Sequence, residues 1–495
     1  MDTKLVFKAF LKKRELVRQH IDSYNDFIDN RLPVIVNATG KIETDVGYEV
    51  RLGKVVVGKA EGIEADGSKS RITPTEARLR NLSYFSPVYV EMTPKKGDKE
   101  GATEMVKIGT IPTMLKSKIC NLYGLDDAAL TKASEDPLDP GGYFIVNGSE
   151  RALVTIEDLA PNKIMLEKNE EYSKITEVAK VFSKRSGFRA LVSVERDRDG
   201  LIGVTFPSVP GQIPLVIMMR ALGLETDQEI VSTVSEDPEV LQLILENLEE
   251  YLEVKTPQEG IEFIGKKVAA GQTKEYRQKR AEQVIDRYLL PHIGIDPEDR
   301  IRKAHYLGRM AIRVIELALE RRGPDDKDHY ANKRLRLAGD LIEDLFRVAF
   351  YNLTRDIKYQ LERAVVRGKE PSIQTAVRSD VLTERVRHAL ATGNWVGGRA
   401  GVSQLLDRTN YLSVVSHLRR VISPLSRAQP HFEARDLHPT QFGRLCPSEP
   451  PEGPNCGLVK NLALSCEFST GISDATIEPL MHDLGVKPIR KAGGT

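Results

Sequence analysis

The chain has 495 residues, 40% of them hydrophobic, and carries 72 Lys and Arg against 71 Asp and Glu for a formal net charge of +1. That length is too great for one core and fits about three domains at roughly 150 residues each, while the balanced charge argues against a free-standing nucleic-acid binder, which is usually far more basic. No segment approaches the ~20 apolar residues of a membrane span, no apolar leader core stands at the N-terminus, and four cysteines are too few for a disulfide framework, which implies a reducing, cytoplasmic setting.

The first thirty residues place Leu5, Phe7, Phe10, Leu11, Leu16, Ile21, Tyr24, Phe27 and Ile28 near helical spacing, and Pro33 predicts where that helix stops. Residues 48–57 and 84–92, rich in Val and Tyr, predict strands. Residues 62–69 brush a phosphate-loop pattern, but Lys and Ser stand in the wrong order and no apolar strand leads in. Asn147-Gly148 separates two β-prone runs and predicts a hairpin. Strand-like runs at 188–194 and 201–207 give way to helical spacing at 215–222, 239–252 and 274–288. Asp325, Asp326 and Asp328 follow Gly323-Pro324 and read as a solvated boundary loop rather than a metal site. Leu337, Leu341, Leu345, Val348, Leu353, Ile357 and Leu361 predict one long helix over 334–368. Residues 412–421 predict an amphipathic helix that carries His417 into Arg419 and Arg420. The expected fold class is α+β, multidomain, with mixed sheets and helices.

Chemistry concentrates late in the chain. From Glu384 to Lys460 there are ten basic residues, nine of them arginine, against six acidic ones. Arginine's planar fork suits phosphate contacts better than lysine does. Residues 435–460 read RDLHPTQFGRLCPSEPPEGPNCGLVK, with four prolines and two glycines in the twelve positions after Cys446. Such a run is neither helix nor strand interior. Glu452 stands between Pro451 and Gly453, and Arg435, Asp436, His438, Arg444 and Asn455 supply polar groups around it. A stiff polar loop of this kind presents side chains outward. Ser403, Asp407 and His417 could be drawn as a hydrolase triad, but no oxyanion-hole signature accompanies them. Cys446, Cys456 and Cys466 are spaced by ten, which is not a zinc spacing, and no DxDxD-like cluster is present to hold catalytic metals.

The 435–460 run closely resembles the active-centre signature of the second-largest, beta-like subunit of multi-subunit DNA-directed RNA polymerases. SQLLDRTNYLSVVSHLRR at 403–420 resembles the same family's fork-loop region. The likeness continues in collinear order through ALATGNW (389–395), RLRLAGDLIEDLF (334–346), DPGGYFIVNGSERALV (139–154), EARLRNLSYFSPVYV (76–90) and HIDSYNDFI (20–28). Leu418 and, approximately, Ile422 depart from many bacterial relatives, which carry a basic and a small polar residue there.

The resemblance implies protrusion, lobe and fork: 1–162 and 331–390 as protrusion, 163–330 as lobe, 391–468 as fork and active-centre loops, and 469–495 as the start of a domain completed by another chain. It implies that Gln404, Arg408, His417, Arg419, Arg420 and Arg427 line the RNA–DNA hybrid and downstream fork, each arginine having as its alternative a salt bridge to Asp407, Glu433, Asp436 or Glu449. Arg435, Glu452 and Asn455 match supporting positions of the active centre that do not ligate metal. Mg²⁺ is then held mainly by another subunit, and zinc by none of these residues. The form resembled is the archaeal split subunit, N-terminal half. Its implied partners are the C-terminal half, the largest subunit, the other polymerase subunits, template DNA, nascent RNA and nucleoside triphosphates, with no membrane. The chain alone is expected to be inactive. The alternative is a non-catalytic nucleic-acid-binding factor, which the near-neutral charge disfavours.

Overall fold

The computed structural model describes residues 3–12, 16–63, 68–97, 99–169, 173–185, 187–368, 371–469 and 474–486. The phosphate-loop-like run at 62–69 and the segment 469–495 fall partly outside these residues. The chain is an α+β protein that divides into two compact units.

The first unit comprises Met1–Ile156, Arg336–Pro430 and Gln441–Thr495. Its sheet sets Tyr48–Val57 between Lys41–Glu43 and Phe85–Lys96, and the last strand also pairs with Lys99–Glu100 and Glu104–Pro112, all antiparallel. Val88, Val90 and Met92 alternate along one strand and are buried with Val50 and Ile108, as a period of two requires when one face covers a core. The cover is the long helix Ala338–Val366, which buries Leu341, Leu345, Ala349, Leu353, Ile357 and Leu361. Leu337 and Val348, counted with that stripe from spacing, are only half-buried. Leu337 is the N-cap, outside the helix, and Val348 sits one position off the buried row.

Pro33 does not end the N-terminal helix. Arg18–Asp26 runs into a π-helical turn, Phe27–Arg31, and on into Leu32–Thr39, with Asp26, Arg31 and Leu32 all keeping helical backbone angles. Pro33 thus follows a π turn inside one helical run, where the altered hydrogen-bond register accommodates a residue with no N–H. Tyr24 meets Phe144 edge-on at 5.7 Å between ring centroids, and Phe27 meets Phe346 at 5.9 Å. Gly339 is where the two helical segments touch: its N–H donates to Ser23 Oγ at 3.0 Å.

The second unit comprises Glu157–Leu335 and His431–Thr440. Five antiparallel strands stand in the order Ile164–Lys168, Ile175–Arg185, Phe188–Asp197, Ile202–Thr205, Ile213–Pro214. Helices Leu215–Ala221, Asp227–Val234, Pro238–Glu250, Pro257–Val268, Lys274–Tyr288 and Arg300–Ala318 share its core. Capping boxes at Thr226/Glu229 and Thr256/Glu259 start two of them. No helix among the described residues is long and apolar enough to cross a membrane.

A Cβ on Gly339 would overlap the Ser23 carbonyl. Gly339→Ala should therefore destabilise the protein by about 1–3 kcal/mol, although alanine is the better helix former by about 1 kcal/mol. Chemical denaturation of the wild type and variant measures the difference. A stabilised variant would show that the helices do not pack this closely.

Candidate functional site

The Asn147-Gly148 hairpin forms as its sequence predicts. Phe144–Val146 pairs with Ser149–Leu153, and both turn residues have positive φ, 49° and 74°, which asparagine and glycine tolerate best. The second strand of the hairpin takes Ser403–Leu405 as its next neighbour, with Gln404 opposite Ala152. The strand Ser403–Leu405 is thus laid on a template made about 250 residues earlier. Asn410 caps the helix Tyr411–Leu418, its Oδ1 accepting from the Ser413 N–H at 2.9 Å. That helix stops short of the expected 421. Arg420–Ile422 is a strand, parallel to Thr155 and Ile156 and antiparallel to Val459–Asn461. β-branched Val421 and Ile422 suit a ladder better than a helix, and the long-range pairing overrides the local spacing.

A charged cluster holds the segment around Arg408 to the hairpin. Arg408 donates from Nε to Glu150 Oε2 at 2.6 Å, and from one terminal nitrogen to Glu150 Oε1 at 2.8 Å, Asp139 Oδ2 at 3.0 Å and the Tyr143 hydroxyl at 2.7 Å. Its guanidinium also lies over the Tyr143 ring, 5.0 Å from the centroid. Arg78 approaches the same groups, bonding Glu150 Oε1 at 2.7 Å and the Tyr143 hydroxyl at 2.7 Å. Tyr143 in turn donates to Asp139 Oδ2 at 2.6 Å. Burial pushes the Asp139 and Glu150 carboxyls up, but the hydrogen bonds and the arginine charges outweigh it, and both end below the usual carboxylate range. None of Arg78, Asp139, Tyr143 and Glu150 stood out as a site residue in the sequence. The clue was there, in charges set within and beside the buried DPGGYFIV run.

His417 is 4% exposed. Its Nδ1 accepts from the Asp407 N–H at 3.1 Å, so Nε2 carries the proton and donates to Gln404 Oε1 at 3.0 Å. The Gln404 amide nitrogen donates to the Gly401 carbonyl at 3.1 Å. Burial, helped by Arg420, lowers the His417 pKa to about 4, so the ring is neutral. The hydrolase triad does not assemble: Ser403 is buried and donates to the Leu390 carbonyl at 2.7 Å, while the Asp407 carboxylate accepts from Thr409. Arg419 is also buried and donates to the carbonyls of Leu16 at 2.5 Å and Ala463 at 2.6 Å. Beside it, His20 is fully buried and hydrogen-bonds the Leu418 carbonyl at 2.8 Å. Burial lowers the His20 pKa to about 4 as well.

The 435–460 loop hangs from the strand pair Arg420–Ile422 and Val459–Asn461. The Cys446 N–H donates to the Asn461 carbonyl at 2.9 Å, the Leu462 N–H to the Arg419 carbonyl at 3.0 Å, and the Ser423 N–H to the Leu458 carbonyl at 2.8 Å. The Asn461 side chain donates to the Ser416 carbonyl at 2.9 Å, and Ser416 Oγ donates to Glu449 at 2.5 Å. Between these anchors the chain makes a 3₁₀ turn, Gly453–Asn455, with Gly453 at φ +84°. Glu452 immediately precedes that turn and is exposed. No described residue gives its carboxylate a hydrogen bond or an ion pair. Asn455 Oδ1 is buried and has no hydrogen-bond partner among the described residues. Arg427 is exposed beyond the fork strand, and Arg420 is half-buried with no hydrogen-bonded carboxylate among the described residues. Arg435 ends the short helix Phe432–Arg435 in the second unit. Among the described residues no group of three His, Cys, Asp or Glu could hold a metal ion.

Two expectations follow from this arrangement. Below pH 6.5 the unfolded chain takes up a proton at His20 and at His417, whereas the folded rings do so only near pH 4. Stability should therefore fall as pH drops from 6.5 toward 4, and His20→Gln or His417→Gln should flatten the fall, as read by melting temperature against pH. Arg408→Lys should cost about 1–3 kcal/mol of stability, because one ammonium cannot serve Glu150, Asp139 and Tyr143 together. An unchanged denaturation midpoint would show that the cluster does not hold the fork.

A family model described as RNA polymerase beta subunit matches residues 15–384, and one described as RNA polymerase Rpb2, domain 3, matches residues 404–468. The DNA-directed RNA polymerase subunit Rpo2N of Methanococcus vannielii is 57% identical, over 98% of this chain and 99% of its own length. Rpo2N of Methanocaldococcus jannaschii is 55% identical, over 97% and 98%. The subunit Rpo2 of Saccharolobus solfataricus is 54% identical over 98% of this chain, but the match spans only 43% of that longer protein. With family models covering most of its length and such relatives along nearly all of it, the chain belongs to the RNA polymerase beta-subunit family.

Proposed function

We propose that this chain, a subunit of DNA-dependent RNA polymerase, builds the fork and one wall of the active centre and has no polymerising activity alone. In this reading 1–162 and 331–390 are protrusion, 163–330 lobe, 391–468 fork and active-centre loops, and 469–495 the opening of a domain completed by another polypeptide. The observation that carries it is the Glu452 carboxylate, unpaired among the described residues, at the tip of a loop clamped at both ends. A side chain left without a partner on so constrained a loop is placed for something outside the chain.

Arg427, exposed, and Arg420, half-buried, meet nucleic-acid phosphates. Arg408, Gln404, His417 and Arg419 shape and hold the surface that does so. The Glu452 carboxylate at this tip only accepts hydrogen bonds, so it cannot bind phosphate but can receive hydroxyl, amino or guanidinium donors, while the Asn455 amide can both donate and accept. With Arg435 they support substrate placement rather than metal binding. The described residues do not fit the Mg²⁺ of such an enzyme, so its ligands are assigned to another subunit, and no step here runs through it. Assembly with the C-terminal half, the largest subunit and other polymerase subunits, around template DNA, nascent RNA and nucleoside triphosphates in the cytoplasm, is supported by exposed apolar side chains near the loop. Phe442 is 92% exposed and Leu412 77%, with Leu405 and Leu464 also open.

In reconstituted enzyme, Glu452→Ala should slow nucleotide addition or raise misincorporation while leaving the elongation complex as long-lived as wild type. Arg427→Ala should weaken retention by about 1–3 kcal/mol and make it less salt-dependent. Addition rate, misincorporation and complex half-life on the same preparations separate the two. Failure of Glu452→Ala to assemble, with normal rate in whatever does assemble, would make the loop structural. The purified chain should show no Mg²⁺-dependent polymerisation, and polymerisation free of other subunits would overturn the reading.

A further inference from the structure

The acidic loop at 323–328 has a role that neither a metal site nor a solvated turn describes. Asp326 uses its two carboxylate oxygens differently. Oδ1 accepts from the N–H groups of Asp328 at 2.8 Å and His329 at 3.2 Å, closing the loop on itself. Oδ2 faces His438 Nε2 at 2.8 Å. The carboxylate only accepts, so Nε2 carries the proton, and Nδ1 is left to accept from Thr440, whose N–H lies 3.2 Å and Oγ1 2.7 Å away. Thr440 Oγ1 also accepts from the Tyr330 N–H at 3.0 Å, and the Tyr330 hydroxyl donates to buried Glu157 at 2.9 Å. The His329 ring packs edge-on against His438 at 5.5 Å. One imidazole, fixed through both nitrogens, thus ties the first limb of the signature run to the body of the second unit. Arg435 lies three residues before it, at the end of the short helix Phe432–Arg435.

We infer that His438 and Asp326 are a positioning pair that sets the placement of Arg435 for nucleotide addition. The inference rests on the reading of the signature run as bordering the active centre. Neither residue touches substrate; each acts through the limb it holds. Asp326→Asn is the informative variant. It keeps an oxygen for the loop's own N–H groups but turns an amide N–H toward His438 Nε2–H, so the loop stays closed while the tie is lost. His438→Gln places an amide nitrogen where Nε2 stood and can still donate to Asp326.

In reconstituted polymerase, Asp326→Asn and His438→Ala should each lower the maximal addition rate roughly tenfold, the worth of one hydrogen bond to a charged group. The nucleotide KM should stay within about twofold, and assembly and melting temperature should be those of wild type. The double variant should be no slower than either single one, and His438→Gln should recover most of the loss. Arg435→Ala runs alongside. If it slows addition while the pair variants do not, this inference fails and the active-centre reading stands. If it has no effect, the reading beneath it fails as well. Additive losses in the double variant, or losses confined to assembly, would likewise overturn the pair.

Discussion

Everything at the site depends on one arrangement of charge: two arginines, Arg78 and Arg408, shared by Glu150 and meeting Asp139 at the hydroxyl of Tyr143. The four charges and the phenol come from three distant segments, and each meets at least one of the others within hydrogen-bond distance. Partly buried ion pairs add little stability by themselves, because removing charge from water costs about as much as the attraction returns. What such a cluster supplies is uniqueness. Any other placement of Arg408 strands Glu150 against Tyr143 without one of its cations. The fork strand Ser403–Leu405 therefore has one register on the hairpin, and Gln404 and His417 inherit their positions from it.

From that anchor the order of support runs outward. The hairpin fixes the first fork strand. Neutral His417 joins it to the turn at Asp407 and to the helix Tyr411–Leu418. Arg419 and His20 then knit the end of that helix to the N-terminal segment through main-chain carbonyls. The strand Arg420–Ile422 carries the signature loop through its antiparallel neighbour. Two imidazoles kept uncharged by burial are part of this scaffold. A cation at either would have to be desolvated beside Arg419 or Arg420.

Legibility in the sequence tracked the range of the forces involved. Asn147-Gly148 was readable because positive φ at two successive residues is a local demand that few residue types meet. The long helix was readable because eleven buried positions repeat with its own period. Pro33 misled because the rule that proline ends a helix assumes a regular hydrogen-bond ladder, and the π turn just before it shifts that ladder and lets the helix continue. Arg420 and Val421 misled because the partners of their strand, Thr155–Ile156 and Val459–Asn461, are neighbours in the fold and not in the chain. The site was visible as a set of unusual residues, but not its division of labour. Arg408 and Arg427 look alike in sequence, and only the fold shows that one is braced on two carboxylates while the other is exposed after the strand Arg420–Ile422. Asp326 and His438, 112 positions apart, carry no joint signal that a single sequence could show.

The interruption of the first unit by Glu157–Leu335 sets the order in which the ribosome can deliver a finished core. Tyr24, Phe27 and the sheet emerge first, but the helix that covers them is translated only after the whole intervening stretch. At ~5–20 residues per second, that leaves apolar surface open for on the order of ten to thirty seconds. The inserted unit has its sheet and six helices complete by then, apart from the ten-residue return His431–Thr440. A nascent chain of this design is most exposed to aggregation and chaperone capture in mid-synthesis, and the strands Ser403–Leu405 and Arg420–Ile422 are necessarily among the last parts to form.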